Sequence, residues 1–196
     1  MSAALRRIEL MRHLVPVLRD EAVIGGIGNT NFDLYAAGHR PLNFYMLGSM
    51  GLALPIALGV ALAQPQRHVI GIEGDGSLLM NLGCLATIAA VAPPNLTLIV
   101  MDNASYQITG GQPTATAART DLVAVARAAG IERSAWASDA GDFVRLVRAG
   151  IDEAGPAFVG ARIDDAPAVA QPPRDPAQIR DRFMQALGTR KDFGAA

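Results

Sequence analysis

A chain of 196 residues, 51% of them hydrophobic, is long enough for one domain with a sizeable core and too apolar for a disordered segment. Its net charge of -1, with no dense Lys/Arg block, argues against nucleic acid or an anionic membrane surface as a partner. No apolar run reaches bilayer length, the residues from Met1 to Arg7 lack the apolar stretch of a secretory signal, and a lone cysteine, Cys84, rules out an internal disulfide, so the expectation is a soluble, cytoplasmic protein.

Taken in order, residues from Ala3 to about Leu18 place Leu5, Ile8, Leu10, Leu14 and Val15 at helical spacing, with Pro16 as a kink or stop. Ala22 to Gly28 reads as a first strand ending in the tip Gly25-Gly26-Ile27-Gly28-Asn29-Thr30. Asn29 or Thr30 is expected to cap a helix from about Asn31; read for function, the same small polar residues suit an anion. Leu42 to Leu47 is a second strand, broken by Gly48-Ser49-Met50-Gly51. The helix that follows, Leu52 to Ala63, tolerates Pro55 in its first turn, and Ala53, Ala57, Gly59 and Ala61 let another element come close.

Gln64 to Arg67 turns into a third strand, His68 to Glu73, and a helix over roughly 77–91 leads to a fourth, Leu96 to Met101. Cys84 on that helix reads as a buried, inert thiol. Tyr106 to Thr116 is a polar, glycine-bearing loop, either a lid over a site or an ordinary connection. Asp121 is expected to cap a helix to Ala129 with Gly130 as its stop; a strand Ile131 to Ala137, a helix Asp142 to Ala154 and a strand Ala157 to Ile163 complete the pattern. Such alternation predicts an α/β fold, a doubly wound parallel sheet of about six strands with helices on both faces. Residues 1–165 form the expected ligand-binding domain. Residues 166–196 form a proline-rich extended segment and a final helix, whose stripe Ile179, Phe183, Met184 and Leu187 packs on the domain or on a partner.

The chemistry concentrates at two strand tips, Gly74-Asp75-Gly76-Ser77 and Asp102-Asn103-Ala104-Ser105. A Gly-Asp-Gly triplet alone is weak, since both residue types suit a tight turn. The pair is stronger: Asp75 and Asn103, 28 positions apart (103 minus 75), follow successive strands and would meet at the carboxyl edge of a parallel sheet. A carboxylate, an amide oxygen and a nearby carbonyl are hard oxygen donors, too few to enclose a metal, and suit a Mg²⁺ that takes its remaining ligands from phosphates and water. Gly76 and Ser77 open a helix whose N–H groups, together with the Ser77 hydroxyl, can face the same phosphates. His13, His39 and His68 are scattered and suggest no histidine metal site.

The run from Gly74-Asp75-Gly76-Ser77 to Asp102-Asn103 resembles the signature of thiamine-diphosphate-dependent enzymes. Leu47-Gly48-Ser49-Met50-Gly51-Leu52-Ala53-Leu54-Pro55 resembles their cofactor-cradling segment. Gly28-Asn29-Thr30-Asn31-Phe32-Asp33-Leu34-Tyr35 and Thr109-Gly110-Gly111-Gln112-Pro113-Thr114 are most similar to sulfopyruvate and phosphonopyruvate decarboxylases, in particular to a free-standing beta-type subunit. The resemblance implies thiamine diphosphate and Mg²⁺ as cofactors, with Asp75, Asn103 and the Ser105 carbonyl as metal ligands. It implies Asn29, Thr30, Gly76 and Ser77 at the diphosphate, Met50 as the wedge that bends the cofactor, the Gly48 carbonyl as acceptor for the aminopyrimidine, Gly74 and Ser49 among the cofactor-binding residues, and Tyr106 bordering the site. It implies decarboxylation of a small 2-oxo acid, such as 3-sulfopyruvate or 3-phosphonopyruvate, to the aldehyde and carbon dioxide.

One departure follows from the same resemblance. The family's activating glutamate belongs to a separate pyrimidine-binding module, and none of Glu9, Glu21, Glu73, Glu132 and Glu153 has that context. The expectation is therefore no catalytic residue in this chain, an alpha-type partner subunit that supplies the glutamate, and a hetero-oligomer. Arg40, His39 and Gln112 are candidates for the substrate's acidic group, with surface solvation the favoured reading of Arg40 and His39. A carboligase subunit of the acetolactate-synthase kind, a non-catalytic cofactor-binding module and a plain domain whose tips are only turns are the competing readings.

Overall fold

The apolar runs become six strands: β1 (Ala22–Gly25), β2 (Asn43–Tyr45), β3 (Val69–Gly74), β4 (Leu96–Asp102), β5 (Arg133–Trp136) and β6 (Ala157–Arg162). In this computed structural model, which describes residues 4–189, they lie in the order β2-β1-β3-β4-β6-β5, and every neighbouring pair is parallel. Helices cover both faces, so the inner strands are continuous apolar runs, not alternating ones; all seven residues of β4 are buried. The doubly wound parallel sheet expected from the sequence is the fold observed.

Among the described residues eight α-helices flank the strands: α1 (Arg7–Leu14), α2 (Asn29–Ala37), α3 (Ala53–Ala63), α4 (Asp75–Leu79), α5 (Gly83–Val91), α6 (Leu122–Ala128), α7 (Ala140–Asp152) and α8 (Pro176–Ala186). On one face α3, α5, α6 and α8 bury Leu54, Leu85, Ile88, Leu122 and Phe183; on the other α1, α2 and α7 bury Leu10, Leu14, Leu34, Phe143 and Val147. Small residues set the closest approach. A Cβ at Gly71 of β3 would stand 2.9 Å from Leu54 and 3.0 Å from the Ala57 methyl, so α3 rests directly on strand backbone. Ala53, Ala57 and Ala61 form that contact face; Gly59, expected with them, points outward.

Local rules place several boundaries. Asp121, Asp139 and Asp175 accept hydrogen bonds from first-turn N–H groups of α6, α7 and α8. Gly130 ends α6 with a positive φ of 106°. Pro16 sits in a tight turn, Val15–Val17, that closes α1. The helix expected from Ala3 begins at Arg7, with Ala3 itself outside the described residues. The apolar stripe of α8 behaves as expected in part: Ile179 and Phe183 are buried, the Phe183 ring packs on Phe44 at 5.3 Å, and Met184 and Leu187 remain half-exposed. Residues 190–196 of the expected final segment lie outside the described part.

Two elements differ from expectation. The helix expected over 77–91 is two, α4 and α5, joined by a tight turn. Asn81 in that turn donates its side-chain amide to the Gly51 carbonyl at 3.0 Å, a bond a straight helix would not reach. Neither Asn29 nor Thr30 caps α2: the helix begins at Asn29 and Gly28 holds the cap position with φ 85°. Their side chains are thereby released from capping.

The topology decides where a ligand fits. From β1 the chain passes outward to β2, then returns across β1 to β3 on its other side. This reversal leaves a crevice beyond the carboxyl ends of β1 and β3, the place where open α/β sheets bind ligands.

Candidate active site

One pocket occupies that crevice, about 510 Å³ when its open mouth is included. Asn29 and Thr30 enter from the start of α2, Met50 from the loop after β2, Gly74 to Ser77 from the β3–α4 junction, and Asn103, Ser105 and Tyr106 from the loop after β4. The parallel β3–β4 register, Gly74 opposite Met101, puts the two tips side by side. Of the residues expected around a cofactor, only Gly48 and Ser49 are not on the pocket wall. Both are exposed on its rim, where Ser49 adopts φ 65°, a left-handed backbone that a serine holds only at a cost.

Asp75 is the pocket's carboxylate and is 1% exposed. Its Oδ2 accepts hydrogen bonds from the hydroxyls of Thr114 at 2.6 Å and Thr116 at 3.2 Å, and Thr116 also donates to Asp102 at 2.7 Å. Burial pushes the Asp75 carboxyl above its ordinary range; the Thr114 bond opposes this and the nearby Asp102 charge adds to it. An acid in this state gains from a cation at its free face. Asn103 presents an amide beside it. Its Oδ1 accepts from the Ser105 N–H at 3.2 Å, and Ala104 between them is held at φ 57°. Among the described residues there is no cluster of three or more His, Cys, Asp or Glu side chains placed for a metal. A carboxylate, an amide oxygen and a main-chain carbonyl are the donor set that fits Mg²⁺ carried in with a diphosphate.

The Ser77 hydroxyl, expected to face the phosphates, instead turns to the Gly51 N–H and Glu73. It accepts from the Gly51 N–H at 2.9 Å and hydrogen-bonds Glu73, while Glu73 Oε2 accepts from the Ala53 N–H at 3.0 Å. Ser77, Glu73 and Asn81 thus clip the Met50-bearing loop onto α4, while the main-chain N–H groups of Gly74 and Gly76 support the Glu73 and Asp75 carboxyls. Glu73 is 1% exposed, and burial pushes its pKa up to about 7. None of the five glutamates lines the pocket. Glu9 pairs with Arg12, Glu153 with Arg133, Glu132 is exposed, and Glu21 lies at the opposite end of β1.

The loop 103–116 folds over the crevice. Ser105 pairs with Pro113, and the Thr114 N–H donates to the Ala104 carbonyl at 3.0 Å, which brings Thr114 under Asp75. Glycines admit the loop: a Cβ at Gly76 would stand 2.5 Å from the Tyr106 ring and one at Gly28 2.7 Å from Ile108. Gln107 is its centrepiece. Its Oε1 accepts from Asn29 Nδ2 at 2.8 Å and from Asn103 Nδ2 at 3.3 Å, and its amide nitrogen donates to the Asp165 carbonyl.

Three sequence candidates lie off the pocket wall, as the favoured reading of Arg40 and His39 has it. Arg40 donates to the Arg19 and Glu21 carbonyls at the amino end of β1, His39 pairs with the Tyr45 hydroxyl at 3.0 Å, and Gln112 is exposed; none lines the pocket. Residue type suggested them, but the chain carries the first two to other places. Residues that sequence reasoning missed on the wall include Arg7, Ile27, Met101, Gln107, Thr109 and Ile163. Gln107 and Thr109 sit in the loop 106–116, for which the sequence leaves a lid and an ordinary connection both open. Arg7 has no local signal, because it arrives from the far end of the chain. Cys84 is buried as expected, and burial pushes its thiol up to about 11, so it stays protonated at neutral pH.

Comparison with known proteins adds three findings. The sequence model of the thiamine pyrophosphate enzyme, C-terminal TPP binding domain, matches residues 26–161. Sulfopyruvate decarboxylase subunit beta of Methanothermobacter thermautotrophicus is 47% identical over 135 residues, 69% of this chain and 72% of that one, whereas phosphonopyruvate decarboxylase of Streptomyces viridochromogenes is 39% identical over 92% of this chain but only 45% of its own length. In three dimensions the chain is similar to a putative thiamin diphosphate-dependent enzyme from Mycobacterium smegmatis, with a TM-score of 0.71 at 22% identity over 83% of this chain and 32% of that one, a likeness of fold.

Proposed function

This chain belongs to the thiamine pyrophosphate enzymes through their C-terminal TPP binding domain, and we propose that it is the beta-type subunit of a decarboxylase acting on a 2-oxo acid with a second acidic group, such as 3-sulfopyruvate or 3-phosphonopyruvate. The observation that carries this reading is half a site in one pocket: the residues suited to a metal and a diphosphate converge there, and no glutamate does. Relatives named as sulfopyruvate and phosphonopyruvate decarboxylases support the substrate class. A match covering most of a beta subunit but less than half of the phosphonopyruvate decarboxylase supports a partner that supplies the remainder.

When bound, thiamine diphosphate supplies the electron sink that lets a 2-oxo acid lose carbon dioxide. The chain's own residues do the holding. Asp75, the Asn103 side chain and the Ser105 carbonyl bind Mg²⁺; Asn29 and Thr30, with Gly76 and Ser77 at the start of α4, take the diphosphate; Tyr106 covers it. Met50, fixed through Gly51 by Ser77 and Asn81, is the apolar wedge. Gly48 and Ser49 stand on the rim with the exposed Leu52, Ile56 and Met80 beside them, the side where a partner subunit closes the pocket and excludes water.

Calorimetry with thiamine diphosphate and Mg²⁺ tests the cofactor role: binding that requires both is expected, and no binding even with a partner present ends the reading. Co-expression with a candidate alpha-type subunit tests the rest. Aldehyde and carbon dioxide should form only in the mixture. Full-rate decarboxylation by the chain alone would refute the partner, and acyloin products would point instead to a carboligase.

A further inference from the structure

We infer that Arg7 is an oxyanion-binding residue of this pocket, holding a tetrahedral anion that is either the sulfonate or phosphonate end of the substrate or the terminal phosphate of the cofactor. The inference rests on the cofactor site proposed above. Of the residues on the pocket wall Arg7 is the cation and Asp75 the carboxylate. Arg7 is 2% exposed, so its guanidinium has been taken out of water on a residue that lines the ligand space.

Its position is fixed from three sides. Nε donates to Asp33 Oδ2 at 2.8 Å, Nη2 donates to the Ala166 carbonyl at 2.6 Å, and the Arg7 main-chain N–H donates to Asp164 Oδ1 at 3.3 Å. Asp33, 1% exposed, uses its other oxygen on the Val169 N–H at 3.0 Å. A guanidinium carries five N–H donors, and these bonds engage two of them. Nη1 makes no hydrogen bond among the described residues, yet it is not one of the buried atoms sealed off without a partner. A donor group left over on a buried side chain that lines a pocket is available to what fills the pocket.

The alternative, a staple joining α1, α2 and the segment after β6, explains Nε and Nη2 but not the spare donors. A buried ion pair is seldom worth more to stability than apolar residues of the same size, so stability gives weak reason for one here. The guanidinium fork matches two oxygens of a sulfonate or phosphate, which a point charge would not. Arg7 also lies outside residues 26–161 that match the family's domain, so that match assigns it no role.

The experiment compares wild type with Arg7→Met, each assembled with its partner subunit, by calorimetry. The ligands are thiamine diphosphate with Mg²⁺, inorganic pyrophosphate and, on the cofactor-loaded complex, 3-sulfopropanoate beside butanoate. Arg7→Met should weaken one class of anion about ten- to a hundredfold, as loss of a charged, directional hydrogen-bond donor does. Weakening confined to 3-sulfopropanoate, with butanoate unchanged, assigns the substrate's acidic end; weakening of thiamine diphosphate and pyrophosphate assigns the terminal phosphate. Equal binding of all four ligands by both proteins overturns the inference. Should Arg7→Met leave Asp33 buried and unpaired and the protein fail to fold, the double variant Arg7→Met/Asp33→Leu removes both charges together and is read the same way. If wild type does not bind thiamine diphosphate at all, the cofactor reading fails on its own, and the pyrophosphate comparison still decides Arg7.

Discussion

The two ends of the parallel sheet handle buried polar groups in opposite ways. At the amino end, the Asn95 side-chain amide donates to the carbonyls of Ala61, Gln64 and Arg67, Arg67 to that of Asp20, Arg40 to those of Arg19 and Glu21, and His68 pairs with Thr97 at 2.9 Å. Burial and the Arg133 charge push His68 down to about 4, so it is a neutral member of the network at ordinary pH. Most partners there are fixed main-chain carbonyls. At the carboxyl end, Asp75, Asn29 and Asn103 are satisfied largely by side chains of one loop: Thr114, Thr116 and Gln107. Polar groups satisfied by the fold's own backbone close a structure. Polar groups satisfied by one loop's side chains hold a place that a ligand can take.

Breaking the contrast should cost most at the carboxyl end. Asp75→Ala is expected to remove Mg²⁺-dependent binding of thiamine diphosphate, by more than about a hundredfold, because the metal loses its charged ligand. Stability should change by only about 1 kcal/mol, since what is removed is a carboxylate raised by burial; calorimetry and urea unfolding together separate the two effects. A variant that unfolds would place Asp75 with the structural groups of the other end.

Glu73 lies between the two regimes, buried like a structural group but two positions from Asp75. Its pKa is raised from 4.5 to about 7, so the folded chain holds a proton there that the unfolded chain releases. Its contribution is therefore fully present below about pH 4.5 and is lost as pH rises through about 7, a change on the order of 3 kcal/mol. Urea unfolding at pH 5 and pH 8 should show that fall in wild type. Glu73→Gln, which keeps an acceptor for the Ala53 N–H, should flatten it.

Asn95→Ala probes the amino end. Three carbonyls lose a shared donor, which should destabilise the fold by about 1–3 kcal/mol in urea while leaving cofactor affinity within twofold. The smallest effect sharpens the picture of the loop. Gln107→Ala removes the oxygen that occupies Asn29 and Asn103, so cofactor binding should tighten by about fivefold, the worth of roughly 1 kcal/mol. Weaker binding would make Gln107 a ligand-holding residue and not a placeholder.

Much of this was readable in the chain before folding. Strand runs bounded by glycine, aspartate caps and the spacing of Asp75 and Asn103 act locally or through strand alternation, and they gave the sheet and both tips of the pocket. What was not readable depends on distant partners. The break between α4 and α5 follows from Asn81 reaching Gly51, 30 residues earlier in the chain. Arg7 reaches the wall because Leu5 pairs with Ile163 beside β6. Side-chain chemistry alone suggests Arg40 and His39 for an acidic ligand, whereas the fold gives them to the amino-end network and to Tyr45. The turn of the Ser77 hydroxyl toward Gly51 likewise has no sequence mark.

That turn has a consequence in linkage terms. Gly51 is held at its N–H by Ser77 and at its carbonyl by Asn81, so the rim loop and the short helix that starts on Asp75 are tied as one piece. If a partner covers the rim while a metal sits on Asp75, each ligand draws on the same ordering, and the factor by which Mg²⁺ and cofactor tighten the partner must equal the factor by which the partner tightens them. Subunit affinity titrated with and without cofactor would read that factor from one side, and cofactor affinity with and without the subunit from the other.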